Sequence, residues 1–387
     1  MWKTNDGSTG RLIQLCIGYF VFYIITGISV KYFLGNTQQG FPGMHDLEYL
    51  VYSTVGGNLF ALGVVLALRW YKMQSNKLVD FLGMKVPVEL LYIIPSGICT
   101  AVVIPTTTLM YSLPISVMVA MVMMRGSVII ISRIIDAIQI RQGILKKHVY
   151  MEENIAVVFA LLAVAINIFW SKSGGFDFIY NAAAVIILGS YIVAYFIRIY
   201  IMNYYKNTRG KNVKQDNKGF FAIEQIFATI TMLIVGILIY NSPKLFGWNN
   251  EQITSFTGAI DNPLPLWGWA VLAGTAFGMV AFFSVFIFMF KGRTATFAGL
   301  VNRLTSLIAG TAATLIFYFA FGGKFPNTED WISLVFILIS VGFITKAEKK
   351  RTAELKALKE IPDNDVVTSG TEIPLNVDYK GRINRHL

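Results

Sequence analysis

Charge is scarce in this 387-residue chain: Asp, Glu, Lys and Arg together make up 14% of it, against 55% hydrophobic residues. A soluble domain is roughly a quarter charged, so a water-soluble globule is excluded. Cysteine and histidine are rarer still. Cys16 and Cys99 lie inside apolar runs, and His45, His148 and His386 are scattered singly, which leaves no disulfide framework, no metal cluster and no expectation of a cofactor. A GxxxxGK[ST] loop is missing, which argues against direct ATP drive. Asn-X-Ser/Thr acceptors and a terminal retention signal are missing too, which favours a bacterial plasma membrane over a eukaryotic endomembrane.

What the chain has instead is long apolar runs, several beyond the roughly 18 residues that cross a bilayer. Leu12 to Val30 is too long for a secretory signal core and is read as a first span. Charge-free windows follow at Tyr49 to Leu68, Leu91 to Met124, Asn154 to Ser171, Phe178 to Ile197, Gln225 to Pro243, Asn262 to Phe290, Leu304 to Gly323 and Trp331 to Thr345. The second of these is too long for one helix. A Tyr-Ser-Leu-Pro break at Tyr111 to Pro114 divides it into a third span and a fourth that continues through Arg125 to about Arg133. The expectation is an all-α polytopic membrane protein of ten transmembrane helices.

Basic residues set its orientation, because short loops rich in them stay cytoplasmic. With the N-terminus inside, 27 of the 33 Lys and Arg fall in cytoplasmic segments and four (Lys31, Lys172, Lys244 and Lys324) on the other side. Both termini are therefore expected in the cytoplasm. The formal net charge of +11 is then a topology signal, and its dispersal over loops and a tail argues against a nucleic-acid partner. The segment Ala347 to Glu360 alternates charge at helical spacing before Pro362 breaks it, and it reads as a solvated extension. Asn241 to Pro265 reads as an outer loop, exposed or resting on the membrane interface.

The remaining basic residues, Arg125 and Arg303, fall within spans. A charge at bilayer depth needs a partner, water or a cavity, and an arginine's planar fork of donors suits carboxylate or phosphate. Each is a candidate for anion recognition, or for a structural role against helix-end carbonyls or an acid. Ten spans divide into two sets of five, and an odd-numbered set repeated in tandem inserts with inverted orientation; Arg125 is then on the fourth helix of one set and Arg303 on the fourth of the other. Glu224, beside Gln225, could carry a coupling proton or balance an arginine, although a place in the first helical turn, favouring the dipole, is preferred. Asn302 adjoins Arg303 and joins the candidates. Gly274 and Gly278 predict close helix packing, and Tyr19, Tyr23, Tyr191 and Tyr195 read as packing or lipid-facing rings rather than as ligand contacts.

Over roughly residues 11 to 346 the pattern resembles the drug/metabolite transporter superfamily, which includes EamA-type transporters and nucleotide-sugar transporters. Met124 to Ile131, MRGSVIII, is similar to the fourth-helix segment of the nucleotide-sugar-transporter-like members. Gly299 to Arg303, GLVNR, is similar to their ninth-helix GALNK, with arginine where lysine is usual. Their seventh-helix FYNN has no counterpart, since Phe220 to Gln225 reads FFAIEQ.

The resemblance implies two inverted five-helix repeats (1–171 and 172–346, followed by a cytoplasmic polar tail, 347–387) with alternating access around a central site. The resulting expectation is a secondary transporter, not an enzyme, for a small polar, anionic metabolite, working by exchange or with a coupled proton. Arg125, Asn302 and Arg303 are expected to bind the solute, with Glu224 and Gln225 as further coupling or binding candidates. Apart from that solute and membrane lipids, no partner is expected. The competing reading is a flippase for a lipid or lipid-linked head group, whose phosphate would also want two arginines. A membrane enzyme would need more than the lone His45-Asp46 pair.

Overall fold

A computed structural model of the chain describes residues 7–73, 75, 77–81, 83–112, 117–146, 149–169, 182–209, 213, 215–323, 325–326, 328–360, 376–377 and 383–384. Over these residues the protein is built from eleven α-helices: α1 (Thr9–Phe33), α2 (Asp46–Ala67), α3 (Leu90–Ser112), α4 (Val117–Arg141), α5 (Met151–Phe169), α6 (Ala182–Asn207), α7 (Asn217–Phe246), α8 (Glu251–Asp261), α9 (Trp267–Phe288), α10 (Ala295–Phe321) and α11 (Thr328–Glu360). Eight of them, α1 to α3, α6, α7 and α9 to α11, are long and apolar enough to cross a membrane. The chain is therefore a helical multi-pass membrane protein. Helices α4 and α5 stand where the fourth and fifth spans are expected. The break at Tyr111 to Pro114 is bracketed by the end of α3 and the start of α4, but residues 113–116 lie outside the described residues, as do 170–181 and most of the tail.

Helix ends follow local chemistry. Ser8 caps α1 by accepting from the Arg11 N–H at 3.3 Å, Asp216 caps α7 through Gly219 N at 3.0 Å, and Thr294 caps α10 through Phe297 N at 3.1 Å. His45 and Glu48 form a capping box at α2, the imidazole accepting from Leu47 N and the carboxylate from His45 N. That gives the His45-Asp46 pair a structural role. Pro95 and Pro105 sit inside α3, as helices packed within a membrane bundle tolerate. The expected outer loop at Asn241 to Pro265 contains the short helix α8, capped by Asn250, with Tyr52 Oη donating to Ala259 O at 2.9 Å. An antiparallel hairpin, β1 (Leu78–Phe81) with β2 (Met84–Pro87), fills the connection from α2 to α3.

The helices pack in exchangeable pairs. α2 lies along α9 and α3 along α7; α1 contacts α9 and α10, while α6 contacts α3 and α4; α4 meets α10, and α5 meets α11. In the α2–α9 seam, backbone meets backbone. A Cβ on Gly56 would fall 1.8 Å from Val271 O, and one on Gly274 would fall 2.2 Å from Ser53 O, so only glycine fits there and the small-residue spacing has its expected result.

One end of the bundle gathers the starts of α1, α5 and α10 and the ends of α4 and α9. Asp136 on α4 accepts from the first N–H groups of α10, Ala295 N at 2.8 Å and Thr296 N at 2.6 Å. Arg293 grips Glu348 through two nitrogens, Thr294 Oγ1 donates to Glu153 at 2.6 Å, and Arg351 approaches Glu153 and Glu354. The partners Glu348, Arg351 and Glu354 lie in the segment read from sequence as solvated. That reading is corrected: α11 runs unbroken to Glu360, and Ala347, Glu348 and Arg351 are buried. Their charges face one another's partners across the bundle rather than water.

Candidate functional site

Three arginines and four tyrosines form a belt through the middle of the bundle. Arg303 is on α10, about 12 Å from the end just described at roughly 1.5 Å per residue. It is 7% exposed, yet its Nε and Nη2 are buried with no hydrogen-bond partner. Its guanidinium carbon lies 4.9 Å from the Tyr195 ring centre. Tyr19 and Tyr191, both 2% exposed, complete an aromatic surround whose electrostatic influence reaches Arg303. Facing ring quadrupoles stabilise a cation in part, and Tyr195 hydrogen-bonds the guanidinium, but Nε and Nη2 are left without acceptors.

Asn302 does not share this vacancy of partners. Its amide donates to Ser284 Oγ at 3.0 Å, and its oxygen is in a long 3.5 Å contact with Tyr19 Oη. The side chain next to Arg303 thus ties α10 to α9 and α1, holding the Tyr19 phenol near the guanidinium.

Arg125 lies on α4, which packs on α10. The two arginines, however, are not side by side. Arg125 stands against Gly310, seven residues beyond Arg303 on α10 and so about 10 Å further along the helix axis. Its Nη2 donates to Tyr23 Oη at 2.9 Å. Tyr23 and Tyr19 are one helical turn apart on α1, with ring centres separated by 5.5 Å, and the pair bridges the two guanidiniums.

Glu224 has a different position from the one preferred on sequence. It is the eighth residue of α7, beyond the first turn, where no acid is found. Its partner is Arg198 of α6, which grips it through Nε at 2.9 Å and Nη2 at 3.0 Å, while Ser96 Oγ donates at 2.6 Å. Both ions are buried. The helix-dipole role is therefore replaced by a bidentate ion pair, which the cost of burying either charge alone makes necessary. Gln225 turns away to donate to Asn58 Oδ1 at 2.7 Å. It ties α7 to α2 and is not brought to Arg303.

Arg198 is the residue that sequence reasoning missed, having been grouped with the basic loop that runs on to Lys218. Its signal was the spacing Tyr191, Tyr195, Arg198 and Met202, one face of a helix, and all four are buried. The guanidinium carbon of Arg198 lies 6.0 Å from the same Tyr195 ring that Arg303 faces. Tyr195 thus stands between a neutralised arginine and one whose charge has no carboxylate in ion-pair contact among the described residues.

No protein-family profile matches the chain, and no curated protein matches it. A solved structure described only as "Crystal structure of protein" shares the fold with a TM-score of 0.54 at 11% sequence identity, covering 89% of this chain and 99% of that one. At that identity the likeness bears on the fold alone.

Proposed function

We propose that this protein is a secondary transporter of the drug/metabolite transporter type, moving a small anionic metabolite across its membrane by alternating access. The observation that carries the reading is Arg303: a permanent cation at bilayer depth, with two buried N–H donors facing no acceptor. Such a group is costly unless something supplies the missing acceptors, and a carboxylate or phosphoryl group does so in the fork geometry that arginine presents. The tyrosines add phenolic donors at the same place.

The packing supports ten membrane-crossing helices arranged as two five-helix halves. Exchanging α1 to α5 with α6, α7, α9, α10 and α11 carries the main helix pairs into one another: α2–α9 into α7–α3, α1–α10 into α6–α4, and α4–α10 and α5–α11 each into itself. A duplicated, inverted unit produces this relation and places the fourth helix of each half, with its arginine, at the central contact.

The test is a melting-shift screen of the purified protein against carboxylates, phosphorylated metabolites, amino acids and amines, since a ligand that binds the native state raises its apparent stability. Anions are expected to shift wild-type protein and to leave Arg303→Gln unshifted. A set of cationic ligands that alone stabilises the wild type would overturn the anion reading.

A further inference from the structure

At the level of Arg303 the belt holds one carboxylate. Glu224 lies seven residues from the start of α7, Arg303 eight from the start of α10 and Arg198 nine from the end of α6, which places all three about 10–14 Å from the same end of the bundle. The Glu224 carboxylate is 1% exposed and accepts three hydrogen bonds, two from Arg198 and one from Ser96. One aromatic ring, Tyr195, has the two guanidiniums on it at 4.9 Å and 6.0 Å. An anion taken up on the open donors of Arg303 therefore arrives one ring away from a buried negative charge.

That arrangement sets a competition. A second anion beside a buried carboxylate disfavours the ionised form of that carboxylate, and it attracts the same arginine fork. Proton uptake by Glu224 removes both conflicts: the carboxyl keeps a hydrogen bond with Ser96, and the Arg198 donors are released toward the incoming anion. Glu224 is the carboxylate that its described neighbours surround. From α6 the group on Glu224 is Arg198, which in turn neighbours Tyr195 and Arg303, and from α3 these are Ser96 and Cys99, while Gln225 on its own helix points to the neutral Asn58 of α2 and α9 carries no ionisable side chain.

We propose that Glu224 is a proton carrier coupled to the anion site, so that each anion held between Arg303 and Arg198 is accompanied by one proton taken from water onto the Glu224 carboxylate and released when the anion leaves. This rests on the anionic-solute reading above and adds a coupling ion to it. No covalent bond other than this O–H is formed or broken. By linkage, anion binding tightens as pH falls, and anion binding draws in a proton to the same extent.

The experiment uses full-length protein in detergent and sulfate as the probe, because sulfate keeps its double charge between about pH 5.5 and about pH 8 whereas carboxylates and phosphates titrate near that window. Calorimetry in two buffers of different ionisation enthalpy gives both affinity and protons taken up. Wild type is expected to bind sulfate about tenfold or more tightly at the lower pH and to take up about one proton per sulfate at the higher, while Glu224→Gln binds with pH-independent affinity and takes up none. Infrared difference spectra of the wild type should gain a carboxylic-acid C=O band on sulfate addition, which decides the point even if Glu224→Gln does not fold. Binding that is independent of pH in the wild type, an unchanged proton count in Glu224→Gln, or no new carboxylic-acid band would overturn the coupling and leave the anion site standing. Failure of wild type to bind sulfate at either pH, with Arg303→Gln indistinguishable from it, would overturn the anion site and the coupling together.

Discussion

Arg293 and Arg303 are ten residues apart and both buried, yet their surroundings are opposite. Around Arg293, at the end of the bundle, Glu348 meets Nε and Nη2, the Lys291 carbonyl meets Nη1, and the Gly7 carbonyl meets Nη2 as well. Around Arg303 there are rings and two donors without acceptors. The fold supplies a partner for every nitrogen of Arg293, and leaves two nitrogens of Arg303 without one. Burial alone therefore does not distinguish the two arginines; the count of answered donors does.

The largest effect should come from breaking the satisfied end. Arg293→Met leaves Glu348 buried and unpaired, and a loss of about 3–5 kcal/mol in stability is expected, read as a lowered melting temperature. Arg303→Met removes a charge with nothing to neutralise it, so the ligand-free protein should melt at or above the wild-type temperature. Equal destabilisation by the two variants would dissolve the distinction between the regions.

Affinity should respond the other way round. Arg303→Gln is expected to lose on the order of 2–4 kcal/mol of anion binding, roughly thirtyfold to nearly a thousandfold, and Arg303→Lys less, because it keeps the charge and forfeits only the fork. Titrating both variants with the anion that shifts the wild type checks this. Wild-type affinity in a stable Arg303→Gln protein would move the binding role elsewhere in the belt.

A smaller effect sharpens the structural side. Asp136→Ala uncovers the first N–H groups of α10 and should cost about 1–3 kcal/mol, visible in thermal melts without change in anion affinity per folded molecule. The smallest belongs to the exposed rim: Lys346 is 3.6 Å from Glu152 with 44% of its side chain exposed, and Lys346→Ala should shift stability by less than about 1 kcal/mol. A shift as large as that of Asp136→Ala would mean that the rim network acts as one unit.

Helices and their order were legible because bilayer length imposes a run of apolar residues that interior packing cannot hide. Arg303 was legible for the same reason, standing alone in such a run. Arg198 was not, since a charge near the end of a window merges with the loop that follows when only the chain order is visible. Glu224 was visible, but its partner is 26 residues away and on another helix, a relation carried by packing and not by spacing. The start of the tail misled for a related reason: Glu348 and Arg351 have the alternation of a solvated helix, and only the position of Arg293 and Glu153 opposite them turns that pattern into a buried contact.

The glycine seam between α2 and α9 has a mechanical meaning. With Val271 O and Ser53 O pressed where side chains would be, the joint contains few rotamers to reshuffle and is held by close backbone contact and weak C–H···O attraction, so it has one geometry and little give. In the alternating-access cycle proposed above, helices that expose the belt first to one side and then to the other would swing about such a joint rather than through it. In that cycle it would serve as an axle, and the distance from axle to belt would be the lever arm along which small tilts at the membrane surface become larger openings.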